Sequence, residues 1–211
     1  MHESRETTEY RCALRERILE AAMGAFIKNG IKAVKMDDIA SLLGISKRTL
    51  YEIYDDKEEL LFEGVKKYGG QRMEAFMEFA RNADNVMDII VGLYRHKIDE
   101  ARVIAPQFYV DIRKYPKVVK YIDETHERQH GHIGSFFVRG VAEGYFRSDI
   151  NYELALQMFD AVDQYVLAHS LIEQYSMREI FSNLLLVPLR GMCTLKGIAI
   201  LDAAVSSELA E

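Results

Sequence analysis

Three prolines and two cysteines in 211 residues narrow the possible designs. A chain so poor in proline is not assembled from turns and loops, and long regular elements are favoured. Cys12 and Cys193 stand far apart and fall in no metal or redox spacing. Two free thiols in a reducing compartment are therefore expected, not a disulfide framework. Strand-like alternation of apolar and polar residues is almost absent. Long hydrophobic runs are absent too. The stretch from Leu184 to Leu189 is bounded by Asn183 and Arg190 and is far too short to span a bilayer. Residues 1–10 mix charges and have no apolar segment of the kind a secretory leader carries. These features lead us to expect a cytoplasmic protein with no membrane partner.

Apolar residues make up 49% of the chain and charged residues 28%, as in an ordinary soluble globular protein. The length suffices for one sizeable core, or for a small domain joined to a larger one. A net charge of −6 argues at first against a polyanionic partner, but the charge is uneven. Residues 1–54 carry nine Lys/Arg against eight Asp/Glu, and the remainder eighteen against twenty-five. A weakly positive head on an acidic body is compatible with nucleic-acid binding through a local patch.

Helical periodicity dominates. A first helix is expected over about 11–28, with Leu14, Ile18, Ala21, Ala22, Ala25 and Phe26 on its apolar stripe and Asn29-Gly30 as its stop. Short helices follow at about 36–43 and 47–54, separated by Gly44, with Ser46 capping the second. Asp56 with Glu59 resembles a capping box opening a fourth helix that runs to about residue 81. Further helices are expected at about 85–104, 106–115, 116–144, 151–172 and 177–201. Pro106 and Pro116 sit at first turns, where a missing N–H costs nothing, and Pro188 is expected to kink the last helix.

The last two helices are apolar nearly all round. Leu154, Met158, Ala161, Tyr165 and Ala168 mark one face of the first, and Leu156, Phe159, Val162 and Val166 another. One buried face needs only one stripe. Two suggest burial against the chain's own core and against a second copy, so a homodimer through about 151–201 is expected, with Phe159 and Leu185 in its interface.

The segment from Asp38 to Tyr51 carries the chemistry. Ala40 supplies the small residue needed where two helices cross, and Gly44, four positions on, tolerates the tight turn. Ile39, Leu43, Ile45 and Leu50 are placed to pack both helices on the first. Ser46, Lys47, Arg48, Thr49 and Tyr51 are left on the outer side. Lysine and arginine pair with phosphates or guanine edges, and hydroxyls with phosphate oxygens or bases. Lys57 adds a cation beside the free N–H groups of a helix start. This is a helix-turn-helix pattern, whose second helix enters a major groove. The plainer reading is an αα-hairpin with a basic, solvated face.

Asp38-Ile39-Ala40, Gly44-Ile45-Ser46, Lys47-x-Thr49-Leu50-Tyr51 and Tyr54-x-x-Lys57-x-x-Leu60 together resemble the N-terminal domain of the tetracycline-repressor family. The resemblance is close over about 11–62. It departs at Lys35, where the family often has a Ser or Thr cap, and at Tyr54, where a phenylalanine is frequent. It implies an all-α protein with a flexible N-terminus over 1–10, a three-helix helix-turn-helix DNA-binding domain over 11–56, and a larger helical effector-binding and dimerisation domain over 57–211. It implies a double-stranded DNA operator read by Lys35, Ser46, Lys47, Arg48, Thr49, Tyr51, Tyr54 and Lys57. It also implies a small-molecule effector and a dimer that forms a four-helix bundle.

On the helix after Pro116, His126 and Gln129 interrupt an otherwise apolar stripe. Tyr109 and Arg113 on the preceding short helix are placed to face the same interior. Apolar walls with a few polar groups suit a small-molecule pocket, and the acidic body leans towards cationic or neutral ligands. Asp123, His126, Glu127 and His130 share two turns and include histidines four apart, a spacing able to hold a metal. We read them as a solvated face and expect neither a metal nor a cofactor. With no Gly-x-Ser-x-Gly elbow and no cysteine beside the histidines, no catalytic residue is expected. The competing reading is a small all-helical enzyme or a metal-binding helical bundle.

Overall fold

A computed structural model describes the backbone of residues 2–209 and the side chains of 9–125, 134–166 and 168–206. The protein is all-α. Its helices are α1 His2–Asn29, α2 Met36–Leu43, α3 Lys47–Tyr51, α4 Lys57–Asn82, α5 Val86–Val103, α6 Pro106–Ile112, α7 Pro116–Ala142, α8 Tyr152–Ala168, α9 Leu171–Gln174, α10 Met177–Ile180, a π-helical segment Phe181–Leu186, α11 Val187–Met192 and α12 Leu195–Leu209. The chain divides into two compact units, Met1–Met73 with Val103–Ile122, and Glu74–Arg102 with Asp123–Glu211.

The first unit is built on α1. Leu14, Ile18, Leu19, Ala22, Met23 and Phe26 are buried along its length, together with Ile39 from α2, Leu50 from α3, and Leu60 and Leu61 from α4. Gly30 ends α1 with φ +83°, and its N–H donates to the Phe26 carbonyl at 2.9 Å. This unit is larger than the 11–56 segment, because α6 and the start of α7 pack with it: Phe108 and Val118 share its core. The Ala105 N–H donates to the Ile27 carbonyl at 2.9 Å, fastening the start of α6 to the end of α1.

The second unit holds a separate apolar cluster that includes Val86, Met87, Ile90, Tyr94, Phe137, Phe146 and Leu189. Arg139 on α7 donates to the carbonyls of Ala83 and Asp84. Glu143 accepts from the Val86 N–H at 2.9 Å. The loop between α4 and α5 is thus fixed by α7 side chains. Gly140 lets the Phe146 ring press against the helix, since an added Cβ would stand 2.0 Å from it.

Three expectations are corrected here. α1 opens at His2 rather than near residue 11, so the backbone of residues 2–10 is helical. The segment has no glycine or proline, and its Glu and Arg residues are good helix formers that need no apolar stripe. Next, the helix expected over 151–172 stops at Ala168, where Ser170 adopts φ +50°. Last, the helix expected over 177–201 is interrupted. Pro188 stands two residues beyond the π-helical stretch Phe181–Leu186, a way for the backbone to absorb a proline's missing N–H. Beyond it the chain leaves helix at Cys193, which pairs with Phe146 in an isolated antiparallel bridge. The Thr194 carbonyl then accepts from the Ile198 N–H at 2.9 Å and opens α12.

Candidate nucleic-acid interface

Local chemistry shapes the reading element. α2 begins after Lys35, whose N–H donates to the Asp38 carboxylate at 2.8 Å. That bond supplies the cap a lysine side chain cannot. α2 ends at Gly44 in the left-handed conformation, φ +66°, and the Ile45 N–H returns to the Ala40 carbonyl at 3.0 Å. The chain reverses there in one residue, which a side chain at that φ would resist. Ser46 then caps α3. Its hydroxyl accepts from the Thr49 N–H at 3.0 Å and lies 2.8 Å from the Thr49 hydroxyl.

Ile39 and Leu50 are fully buried, and Leu43 and Ile45 are half-buried against the same core. The pair α2–α3 is therefore anchored by its apolar positions. Its polar ones are left outside: Lys35, Ser46, Lys47, Arg48 and Tyr51 are exposed, and Thr49 is half-buried. Lys47 is ion-paired with Asp37 on α2, and Arg48 with Glu52 at 2.9 Å. Glu52 raises the Arg48 pKa still further, so its charge is permanent. Exposed pairs of this kind contribute little and are screened by salt, so both cations can exchange a carboxylate for a phosphate. Arg11, which sequence reasoning missed, reaches the Glu52 carbonyl at 3.4 Å and adds a cation beside the end of α3. Its signal was weak, one charge on an outward helix face.

Tyr54 is not on this surface, which corrects its assignment. It is 0% exposed. Its hydroxyl donates to Glu63 at 3.3 Å, and the Arg15 guanidinium lies 4.8 Å from its ring centroid. Burial pushes its pKa up from the ordinary phenol value. Arg15 is in turn ion-paired with Glu63. Tyr54, Arg15 and Glu63 thus tie α3's exit to α1 and α4. Lys57 is also turned inward. Its ammonium donates to the Val34 carbonyl at 2.5 Å, beside the Phe26 ring, and desolvation lowers its pKa. It braces the α1–α2 turn against the start of α4.

Two of the four effector candidates, Tyr109 and Arg113, fall among the described side chains. Tyr109 is half-buried in the first unit, edge-on to Phe108 with centroids 5.9 Å apart. Arg113 is exposed at the end of α6, so it lines no interior. The side chains of His126, Gln129, Glu127 and His130 lie outside the described residues. Among the described residues no cluster of His, Cys, Asp and Glu is placed to hold a metal. None of the described helices is long and apolar enough to cross a membrane.

Comparison with known proteins accords with this geometry. Over 145 residues the chain is 24% identical to the HTH-type transcriptional repressor KstR2 of Mycobacterium tuberculosis, covering 66% of this chain and 72% of the relative. A structure from Saccharomonospora viridis, solved with choline, shares the fold at a TM-score of 0.67 and 19% identity, over 87% of this chain and 99% of that one. The regulator FadR of Bacillus subtilis, solved with stearoyl-CoA, does so at 0.59 and 19%, over 84% and 98%. Residues 18–63, which run from the core of α1 through α2 and α3 into α4, match the model of the bacterial regulatory proteins, tetR family. Residues 18–63 are thus similar to the helix-turn-helix domain of the bacterial regulatory proteins of the tetR family.

Proposed function

We propose that this protein is a cytoplasmic transcriptional repressor that binds a pseudo-palindromic DNA operator as a homodimer and is released by a small-molecule effector. The observation that carries the DNA-binding part is α3. It is a capped helix held on the core by Leu50, with Lys47, Arg48 and Tyr51 turned outward and Lys35 at the start of α2. Lys35 and Lys47 serve phosphates, Arg48 a phosphate or a guanine edge, and the Ser46, Thr49 and Tyr51 hydroxyls the backbone or bases. The relatives' names as HTH-type repressors support the direction of control.

Dimerisation rests on α8. Leu154 is 61% exposed and Tyr165 54%, and Met158 and Ala161 between them are also exposed. These four repeat every three or four residues and form one apolar outer face, which a second copy would cover. Phe159 does not belong to it. It packs against the second unit's own core, so the interface is better probed at Leu154 and Met158.

Effector control rests on the family and on neighbours solved with small molecules. The chain passes between the two units within α4, at the end of α5 and within α7. An effector that favours one setting of these helices shifts operator affinity only by its differential affinity for the two settings. Fluorescence anisotropy of the purified chain on DNA flanking its own gene tests the proposal. Binding with a steep salt slope, at an inverted repeat, is expected. Equal affinity for that DNA and for random duplex at all salt concentrations would remove it.

A further inference from the structure

Arg48 on α3 and Glu52 at its C-terminal cap stand one turn apart, their side chains 88% and 55% exposed. The Arg48 Nε donates to Glu52 Oε1 at 2.9 Å. Among the described residues nothing is bonded to the two terminal nitrogens of this guanidinium. Arg11 reaches the Glu52 carbonyl at 3.4 Å and not its carboxylate. A carboxylate is otherwise out of place here. It sits at the end of a helix, where the last carbonyls disfavour negative charge, and on a face that would meet phosphates. Lys47 has a carboxylate partner too, Asp37, but an ammonium is a point charge with rotating donors and cannot be aimed. A guanidinium is a planar fork, so a bond at Nε restrains its plane and leaves its far edge presented.

We propose that Glu52 is a specificity-determining residue of the DNA interface: its carboxylate holds Arg48 through Nε and so aims the terminal nitrogens at the O6 and N7 of a guanine. Arg48 then reads a base rather than a phosphate. Its position suits this, because the first residues of a reading helix meet base edges, and Arg48 is the second residue of α3. Two parallel bonds to guanine need the right plane as well as the right charge. In water the exposed ion pair contributes little. In a groove emptied of water the same pair strengthens, and it keeps the fork from turning to a neighbouring phosphate. Lys47, restrained by no such geometry, takes the phosphate. Glu52 acts through Arg48 and is a positioning residue. The inference rests on DNA binding by α3, and effector and dimer play no part in it.

Fluorescence anisotropy of the full chain tests it, with three kinds of DNA at one salt concentration. These are the best-bound duplex from the DNA flanking its own gene, every single-base variant of that duplex, and random duplex. Wild type, Arg48→Ala, Glu52→Ala, Glu52→Gln and the double alanine variant are compared. Arg48→Ala should lose roughly 5- to 150-fold in preference for one G·C pair of each half-site. Glu52→Ala should lower the preference at that same pair by about three- to tenfold, and bind random duplex as well or more tightly. Glu52→Gln, whose amide oxygen still accepts from Nε, should keep most of the preference. The double variant should lose no more there than Arg48→Ala alone. An unchanged preference at that pair in Glu52→Ala overturns the proposal. So does a loss at a different base pair, since Glu52 would then read a base itself. Uniform weakening of Glu52→Ala on every duplex also overturns it, as the mark of a disturbed fold. Arg48→Ala weakening all duplexes alike does the same, because the contact is then to phosphate. If wild type prefers its operator and one of these outcomes appears, only the role of Glu52 falls. Wild type that binds all duplexes equally removes the regulatory reading, and this inference with it.

Discussion

The Asp111 carboxylate on α6 accepts from the backbone N–H of Lys32, in the turn between α1 and α2, at 2.7 Å. Asp111 is fully buried, and Gln107 and Lys114 donate to its other oxygen at 2.9 and 3.0 Å. At the same place Gly30, with φ +83°, lets Gln107 approach so closely that an added Cβ would stand 2.7 Å from it. The turn that feeds the reading helices is thus clamped onto α6 by one carboxylate. Burial alone would raise the Asp111 pKa, but the bonds from Lys32, Lys114 and Gln107 outweigh it and hold the carboxyl below its usual range.

Asp111→Ala should lower stability by about 2–4 kcal/mol, because it strands a buried N–H and removes a charge-assisted bond. The depressed pKa also fixes a pH dependence. The contribution of Asp111 is complete above the ordinary aspartate value of 3.8 and is lost as pH falls below it, through the folded-state pKa. Thermal melts between neutral pH and strong acid check both points. Wild type should lose Tm more steeply in acid than the alanine variant, and parallel curves would show that the clamp contributes nothing.

Tyr54→Phe should leave operator affinity and its salt slope unchanged, because the hydroxyl reaches Glu63 and not the surface. Stability should fall by about 1 kcal/mol, the net worth of a hydrogen bond. Anisotropy titrations alongside denaturant melts separate the two effects. A large drop in affinity with no change in melting would return Tyr54 to the DNA face.

Lys47→Ala should weaken all duplexes alike and reduce the salt slope by about one. Arg48→Ala should relax preference at one base position if it reads guanine, with a discrimination loss of about 1–3 kcal/mol. The measurement is affinity against salt for a panel of single-base operator variants. Unchanged slopes for both substitutions would place the contact surface elsewhere.

Leu154→Glu combined with Met158→Glu should disperse the dimer. A carboxylate buried without a partner in an apolar interface costs about 3 kcal/mol or more, whereas on an exposed face it costs almost nothing. Sedimentation equilibrium reads the mass. Because both side chains face outward, the monomer should keep its helical circular dichroism. An unchanged dimer mass would exclude α8 from the interface.

Much of the reading element was legible in the order of residues. Gly44 and Ser46 act through their own backbone and their nearest neighbours, so their roles follow from residue type and spacing. The apolar positions Ile39 and Leu50 follow from helical period. Other features depended on partners distant in the chain. Tyr54 and Lys57 carry groups able to contact DNA, and only packing against Arg15, Glu63, Val34 and Phe26 turned them inward.

The sequence by itself determined an all-helical chain, the helix–turn–helix over α2 and α3, and a doubly apolar α8, because caps, turns and periodicity are local. Tertiary structure decided that Asp111 is a buried clamp, since its partner Lys32 is 79 residues away. It decided which α8 face packs on the core and which stays exposed, since both are equally apolar in sequence. It also broke the final helix at Cys193. Gly191, two residues earlier, stays within α11, and the backbone at Cys193 leaves helix to bond with residues beside Phe146, a pairing available only after the chain has folded.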